Sequence, residues 1–168
     1  MFFLALFIAS QAILIEAEES SKLISQGKPI IASSITSSLY RPSYCVDGSM
    51  STTCSTRAAT ATNPEYFSID LAANFLIDFV QVVIKPSKSH YFQNVNIYLH
   101  TDPIFSYANS ILCDSVTAEP VWQTYNEYKL HNFTACTNIV ARYVRIQIVG
   151  LHNLAYLRMR EAMVFGRG

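Results

Sequence analysis

Several stretches of this sequence alternate apolar and other side chains with a period of two, the spacing of residues on successive faces of a β-strand. Phe67, Ile69 and Leu71 alternate with Tyr66, Ser68 and Asp70, and Val80, Val82 and Ile84 with Phe79, Gln81 and Val83. Val95, Ile97 and Leu99 follow the same rule against Asn94, Asn96 and Tyr98, as do Val144, Ile146 and Ile148 against Tyr143, Arg145 and Gln147. The second stretch is apolar on both faces, which predicts a central strand. A last strand is expected over about 157–165, before Gly166. No long amphipathic helical pattern interrupts these runs, so the chain predicts one all-β domain, an antiparallel sandwich or barrel.

The segments between are less regular. Residues 18–38 are polar and Ser-rich, with Gly27-Lys28-Pro29 breaking any helix, and 40–64 predict a long loop carrying Pro42, Gly48 and Pro64. That loop holds Cys45 and Cys54, while Cys113 and Cys136 lie further on. The first 17 residues, with the apolar run Phe2–Ile8 and a small-residue exit at Ala17, read as a secretory signal. Gln11 and Glu16 interrupt any membrane span. An even cysteine count behind such a leader predicts two disulfides, with three possible connectivities. Sequence order makes Cys45–Cys54 and Cys113–Cys136 the simplest. The expected location is secreted and extracellular, and Asn132-Phe133-Thr134 is a glycosylation sequon.

The formal net charge is zero, so no global field favours nucleic acid or an anionic membrane. Arg142, Arg145, Arg158 and Arg160 lack the density of a basic run and read as solvated charges. There is no nucleophile elbow, no spare cysteine if both bridges form, and no phosphate-cradling loop. His90, His100, His131 and His152 are scattered, and read as surface or strand-end residues. No catalysis is expected. Binding is, through loops on a braced scaffold: the segment 85–93 mixes Lys85, Lys88, His90, aromatic rings and Gln93.

Several segments, in order, resemble the fucolectin (F-type lectin) family, relatives of the discoidin or coagulation factor V/VIII type C domains. Gly27-Lys28-Pro29 with Ala32-Ser33-Ser34 is similar to the family's opening, and Val46-Asp47-Gly48-Ser49 to its "AVDGN" turn. Asn63–Leu71 resembles "NPWWRVDL", Ala141–Val144 after the later cysteines resembles "GRYV", and Glu161–Gly166 resembles the closing "CEVEVFG". The resemblance implies a jelly-roll β-sandwich of the galactose-binding-domain type, glycan-binding loops at one end and a structural calcium ion. The matching calcium ligands are the side chains of Asp47, Thr53 and Glu161, with the carbonyls of Tyr44, Ser49 and Arg160. Calcium accepts such mixed oxygen sets.

Two departures matter. The family pairs the cysteine matching Cys54 with one at the position of Arg160, so a bridge to Cys45 would be a rerouting. The family's fucose-gripping His and two Arg fall at about Thr56, Pro86 and Gln93, which cannot repeat those charge-assisted bonds. Arg57, Lys85, Lys88 and His90 lie close by and offer a different site. The expected function is therefore a lectin-like module for a glycan or cell-surface glycoprotein, with oligomerisation left open. The alternative is an adhesion module that has lost sugar recognition.

Overall fold

The structure, a computed structural model, describes residues 19–84, 92, 94–117, 127–148 and 155–168. Among these, ten strands run in chain order: β1 (Lys22–Leu23), β2 (Ile30–Ala32), β3 (Cys54–Ala59), β4 (Glu65–Ile84), β5 (Val95–His100), β6 (Ser110–Val116), β7 (Lys129–Phe133), β8 (Ile139–Ile148), β9 (Ala155–Met159) and β10 (Glu161–Arg167). All pairings are antiparallel. The order β1-β10-β4-β8-β5-β6, with β2 and β7 also on β4, makes an eight-stranded sheet, and β3 with β9 a two-stranded one.

β4 organises the sandwich. Its first half lies between β2 and β8, and its second half between β10 and β7. The sequence predicts two strands here with a break; instead one strand continues through an irregularity between Asp70 and Phe75. Ala72 takes the left-handed conformation there, with φ 71°. A bulge absorbs extra residues and bends the strand without ending its pairing, so the exposed Ala72, Ala73 and Asn74 sit at the bend.

The alternation does its predicted work. Phe67, Ile69 and Leu71 of β4, Val95 and Ile97 of β5, and Val144, Ile146 and Ile148 of β8 are completely buried. They join one core with Val80, Val82, Leu157, Ala162 and Val164. Each large side chain so buried contributes roughly 1.5–3 kcal/mol of transfer free energy.

Other expectations need correction. The stretch 40–64 is not all loop: Pro42–Cys45 forms a 3-10 turn and Cys54–Ala59 forms β3. Alternation is poor in β3 because a register shift falls between Ser55 and Ala58. The last predicted strand is two, since the chain turns at Arg160 and passes from the small sheet to the large one. Arg145 is not solvated. Its guanidinium carbon lies 3.5 Å from the ring centre of Tyr66 and 3.9 Å from that of Phe105, and its Nε donates to Gln147 Oε1 at 2.9 Å. Gln147, fully buried, in turn donates to the Tyr107 hydroxyl at 3.0 Å. Segment 101–109 thus covers the outer face of β5 and β8 with aromatic rings.

Both disulfides follow sequence order: Cys45–Cys54 and Cys113–Cys136, with Cα separations of 5.4 and 4.7 Å. The first ties the 3-10 turn to the start of β3. The expected signal segment, residues 1–17, lies outside the described residues.

Candidate functional site

The turn 46–49 sets the geometry of the first site. Gly48 adopts φ +77°, the left-handed region that glycine enters without a Cβ penalty. Its N–H donates to Glu161 Oε1 at 3.2 Å, across 113 positions of sequence. Glu161 is the first residue of β10 and only 2% exposed. Its second oxygen, Oε2, is buried without a hydrogen-bond partner. Burial pushes this carboxyl up to about 7, against the lowering effect of the Gly48 N–H, and neighbouring Asp47 raises it further.

Asp47 is exposed and locally organised. Its Oδ1 accepts the Ser49 N–H at 2.8 Å, and both carboxylate oxygens lie within reach of the Thr52 hydroxyl, at 3.1 and 2.9 Å. Thr52 is a neighbour that sequence reasoning missed, since nothing in the sequence distinguishes it from Thr53. Arg160 Nη1 donates to the carbonyls of Ser51 and Thr52, both at 3.0 Å, drawing the 47–53 loop onto the β9–β10 corner. Tyr44 lies in the 3-10 turn Pro42–Cys45, Ser49 lies in the loop, and Thr53 immediately precedes β3. The six residues matched to calcium ligands therefore fall on the turn, the loop and the corner that Gly48 and Glu161 join.

Among the described residues, no three His, Cys, Asp or Glu side chains converge as a metal cluster. The oxygen set here instead combines two acids with hydroxyls and carbonyls, the chemistry of a hard cation. A buried carboxylate oxygen without a donor, next to a second carboxylate, fits a cation well. Either acid loses its like-charge penalty when a cation sits between them.

The residues considered for ligand contact divide. Thr56 is fully buried, and its hydroxyl is engaged: it donates to the Arg57 carbonyl at 2.9 Å and accepts the Leu157 N–H at 3.2 Å. Arg57 is exposed, its backbone N–H donating to Ser34 Oγ at 2.9 Å. Lys85, Lys88, His90 and Gln93 lie outside the described residues. Arg158 of β9, opposite Ser55, packs its guanidinium 4.6 Å from the Tyr40 ring centre and donates to the Tyr40 hydroxyl at 2.8 Å. Asn132 is exposed on β7, its Oδ1 accepting from Gln81 Nε2 at 2.8 Å.

Residues 29–162 match the model of the F5/8 type C domain family. No curated protein matches the chain. Among solved structures, a fucolectin from striped bass (Morone saxatilis) serum is similar at TM-score 0.69 and 17% identity, over 88% of this chain and 48% of that one. A Streptococcus pneumoniae fucose binding module gives TM-score 0.64 and 19% identity, over 89% and 99%. Chitosan-binding module 1 of a Paenibacillus sp. IK-5 chitosanase/glucanase gives 0.62 and 19%, over 86% and 99%. At these identities the likeness is one of fold.

Proposed function

The chain belongs to the F5/8 type C domain family, and from that premise we propose that it is a secreted, calcium-braced module that binds glycans without catalysing a reaction. The observation that carries the reading is the meeting of Glu161 with the Asp47-Gly48 turn. It joins two distant parts of the chain and leaves Glu161 Oε2 buried without a donor. Asp47, Thr53 and Glu161 would hold the ion by side chains, and Tyr44, Ser49 and Arg160 by carbonyls. The ion supplies charge neutralisation and a tether between loop and strand.

The protein's own residues do the rest. Gly48 turns the loop back onto β10, Arg160 pins the carbonyls of Ser51 and Thr52, and the Cys45–Cys54 bridge shortens the free path between turn and strand. Such preorganisation lowers the ordering cost of binding. Structural neighbours carry the names of fucose-binding, chitosan-binding and galactose-bound modules and of a Lewis B-bound lectin domain, which supports glycan as the partner class. Two disulfides suit an oxidising compartment, in keeping with residues 1–17 as a signal and Asn132 as a glycan acceptor. The internal engagement of the Thr56 hydroxyl favours a second reading, adhesion to a protein surface after loss of the family's sugar grip.

A glycan array with and without chelator tests the proposal. Calcium-dependent retention of one glycan class is expected. Silence against every sugar, with calcium binding intact, would leave the adhesion reading.

A further inference from the structure

We infer that segment 101–109 is an acid-released cover: protonation of His100 beneath it frees its aromatic rings from the outer face of β5 and β8. Leu99 of β5 is turned into the core at 1% exposure, so alternation sends Tyr98 and His100 to the outer face. Both are nonetheless buried, because the chain leaving β5 folds back over them. The Phe105 ring centre lies 5.5 Å from that of Tyr98 and 5.4 Å from that of His100, and Tyr107 lies 5.6 Å from Tyr98. The cover is held at its far end by Gln147, which donates to the Tyr107 hydroxyl.

The imidazole under this cover is set up for the neutral form. Its Nδ1 lies 2.7 Å from the Asp102 carbonyl, an acceptor only, so Nδ1 carries the hydrogen and donates. Nε2 is then the bare nitrogen, and it is buried without a hydrogen-bond partner. A second proton would have to enter at Nε2, creating a buried cationic N–H with no acceptor. Burial accordingly holds His100 below the ordinary histidine value of 6.5.

The charges around it oppose protonation. Phe105, whose edge meets His100, also packs against the Arg145 guanidinium of β8 at 3.9 Å. Among the described residues, Arg145 has no carboxylate partner. Tyr143 of β8, on which His100 stacks at 5.1 Å, already carries the Arg142 guanidinium at 5.1 Å. Asp70, opposite Tyr143, is engaged by that same Arg142. On the β6 side His100 faces the uncharged Ser110. Asp102 favours the histidinium, but it is exposed and its carboxylate accepts from Asn109 Nδ2 at 3.2 Å. Protonated, His100 would be a further cation beneath a cover that already lies over an unpaired arginine. With the cover open, the imidazole is solvated and takes the proton freely. Below the ordinary histidine value, acid therefore shifts the balance toward opening, by up to about ten-fold per pH unit.

The test is amide hydrogen exchange by NMR on the full chain in calcium, from about pH 7.5 to 5.5, corrected for intrinsic exchange rates. The Asn109 N–H, which donates to the Ser106 carbonyl at 3.2 Å and to Ser106 Oγ at 3.1 Å, reports on the cover. Its protection is expected to fall by up to about ten-fold across that range, while the amides of β8 stay protected throughout. His100→Phe keeps a ring and removes the titration, so its cover should stay closed at every pH. The His100 ring protons of the wild type should titrate below 6.5, a measurement that needs no variant and decides the matter should His100→Phe fail to fold. A cover indifferent to pH in the wild type, the same decline in His100→Phe, or a His100 titration at or above the ordinary value would overturn the inference.

Discussion

Replacing Glu161 by glutamine separates the electrostatic argument from mere packing. Burial raises the Glu161 carboxyl from 4.5 to about 7, so the native state keeps a proton that the unfolded chain releases. Where the unfolded state binds fewer protons, stability falls as pH rises. In chelator the wild-type protein should therefore lose stability as pH climbs from about 4.5 to 7, and level off above that. At about 1.4 kcal/mol per pH unit, the total loss is up to roughly 3 kcal/mol, or roughly 5–10 °C in melting temperature for a domain of this size.

Glu161→Gln keeps the shape and removes the ionisation, so its melting temperature in chelator should lack this decline and exceed wild type at pH 8. Calcium should reverse the order. Wild type gains about 2.7 kcal/mol at a hundred-fold excess over Kd, while the amide, a poorer ligand, gains little. Thermal denaturation from pH 4.5 to 8.5, with chelator and with calcium, reads all of this. A flat wild-type profile in chelator, or an equal slope in the variant, would refute the reasoning.

Peptide mapping of the unreduced protein should join Cys45 to Cys54, and replacing both by serine should cost about 3 kcal/mol through the lost loop constraint, read by urea denaturation. Gly48→Ala forces a side chain into a left-handed turn where its Cβ would lie 2.5 Å from Gln26 Nε2; a loss of about 1–2 kcal/mol is expected, with weaker calcium binding by calorimetry. Asp70 accepts two hydrogen bonds from Arg142, at 2.8 and 2.9 Å, which hold its carboxyl below the usual carboxylate range. That pairing stabilises the fold above the ordinary aspartate pKa and is lost as pH falls below it. Asp70→Asn should therefore flatten the acid limb of the stability profile, followed by circular dichroism between about pH 2 and 7.

The strongly alternating strands were legible because half-burial writes a period of two into the side chains. β4, β5 and β8 follow that rule, and their apolar sets are the ones buried. What escaped was structure whose pattern is local or broken. β3 hides its alternation behind a bulge, and β6 exposes Ile111 and Leu112 in succession next to its own register shift. Arg145 reads as a surface charge until residues 101–109 fold over it, a contact that no spacing announces. At the candidate site, the acids and the turn glycine were visible as a motif, while the part played by the Thr52 hydroxyl depends on how the 47–53 loop folds back onto Asp47.

The placement of β4 also bears on how the molecule can fold. Its partners come from both ends of the sequence: Ile30–Ala32 before it, and Ile139–Ile148 and Glu161–Arg167 long after it. Neither layer can close around this strand until nearly the whole polypeptide has been synthesised. Pairings so distant demand loop closure before they repay it, which places folding in the millisecond-to-second range typical of β-sandwiches. Until then β4 is an open edge, and a growing chain needs shielding from its neighbours for that interval.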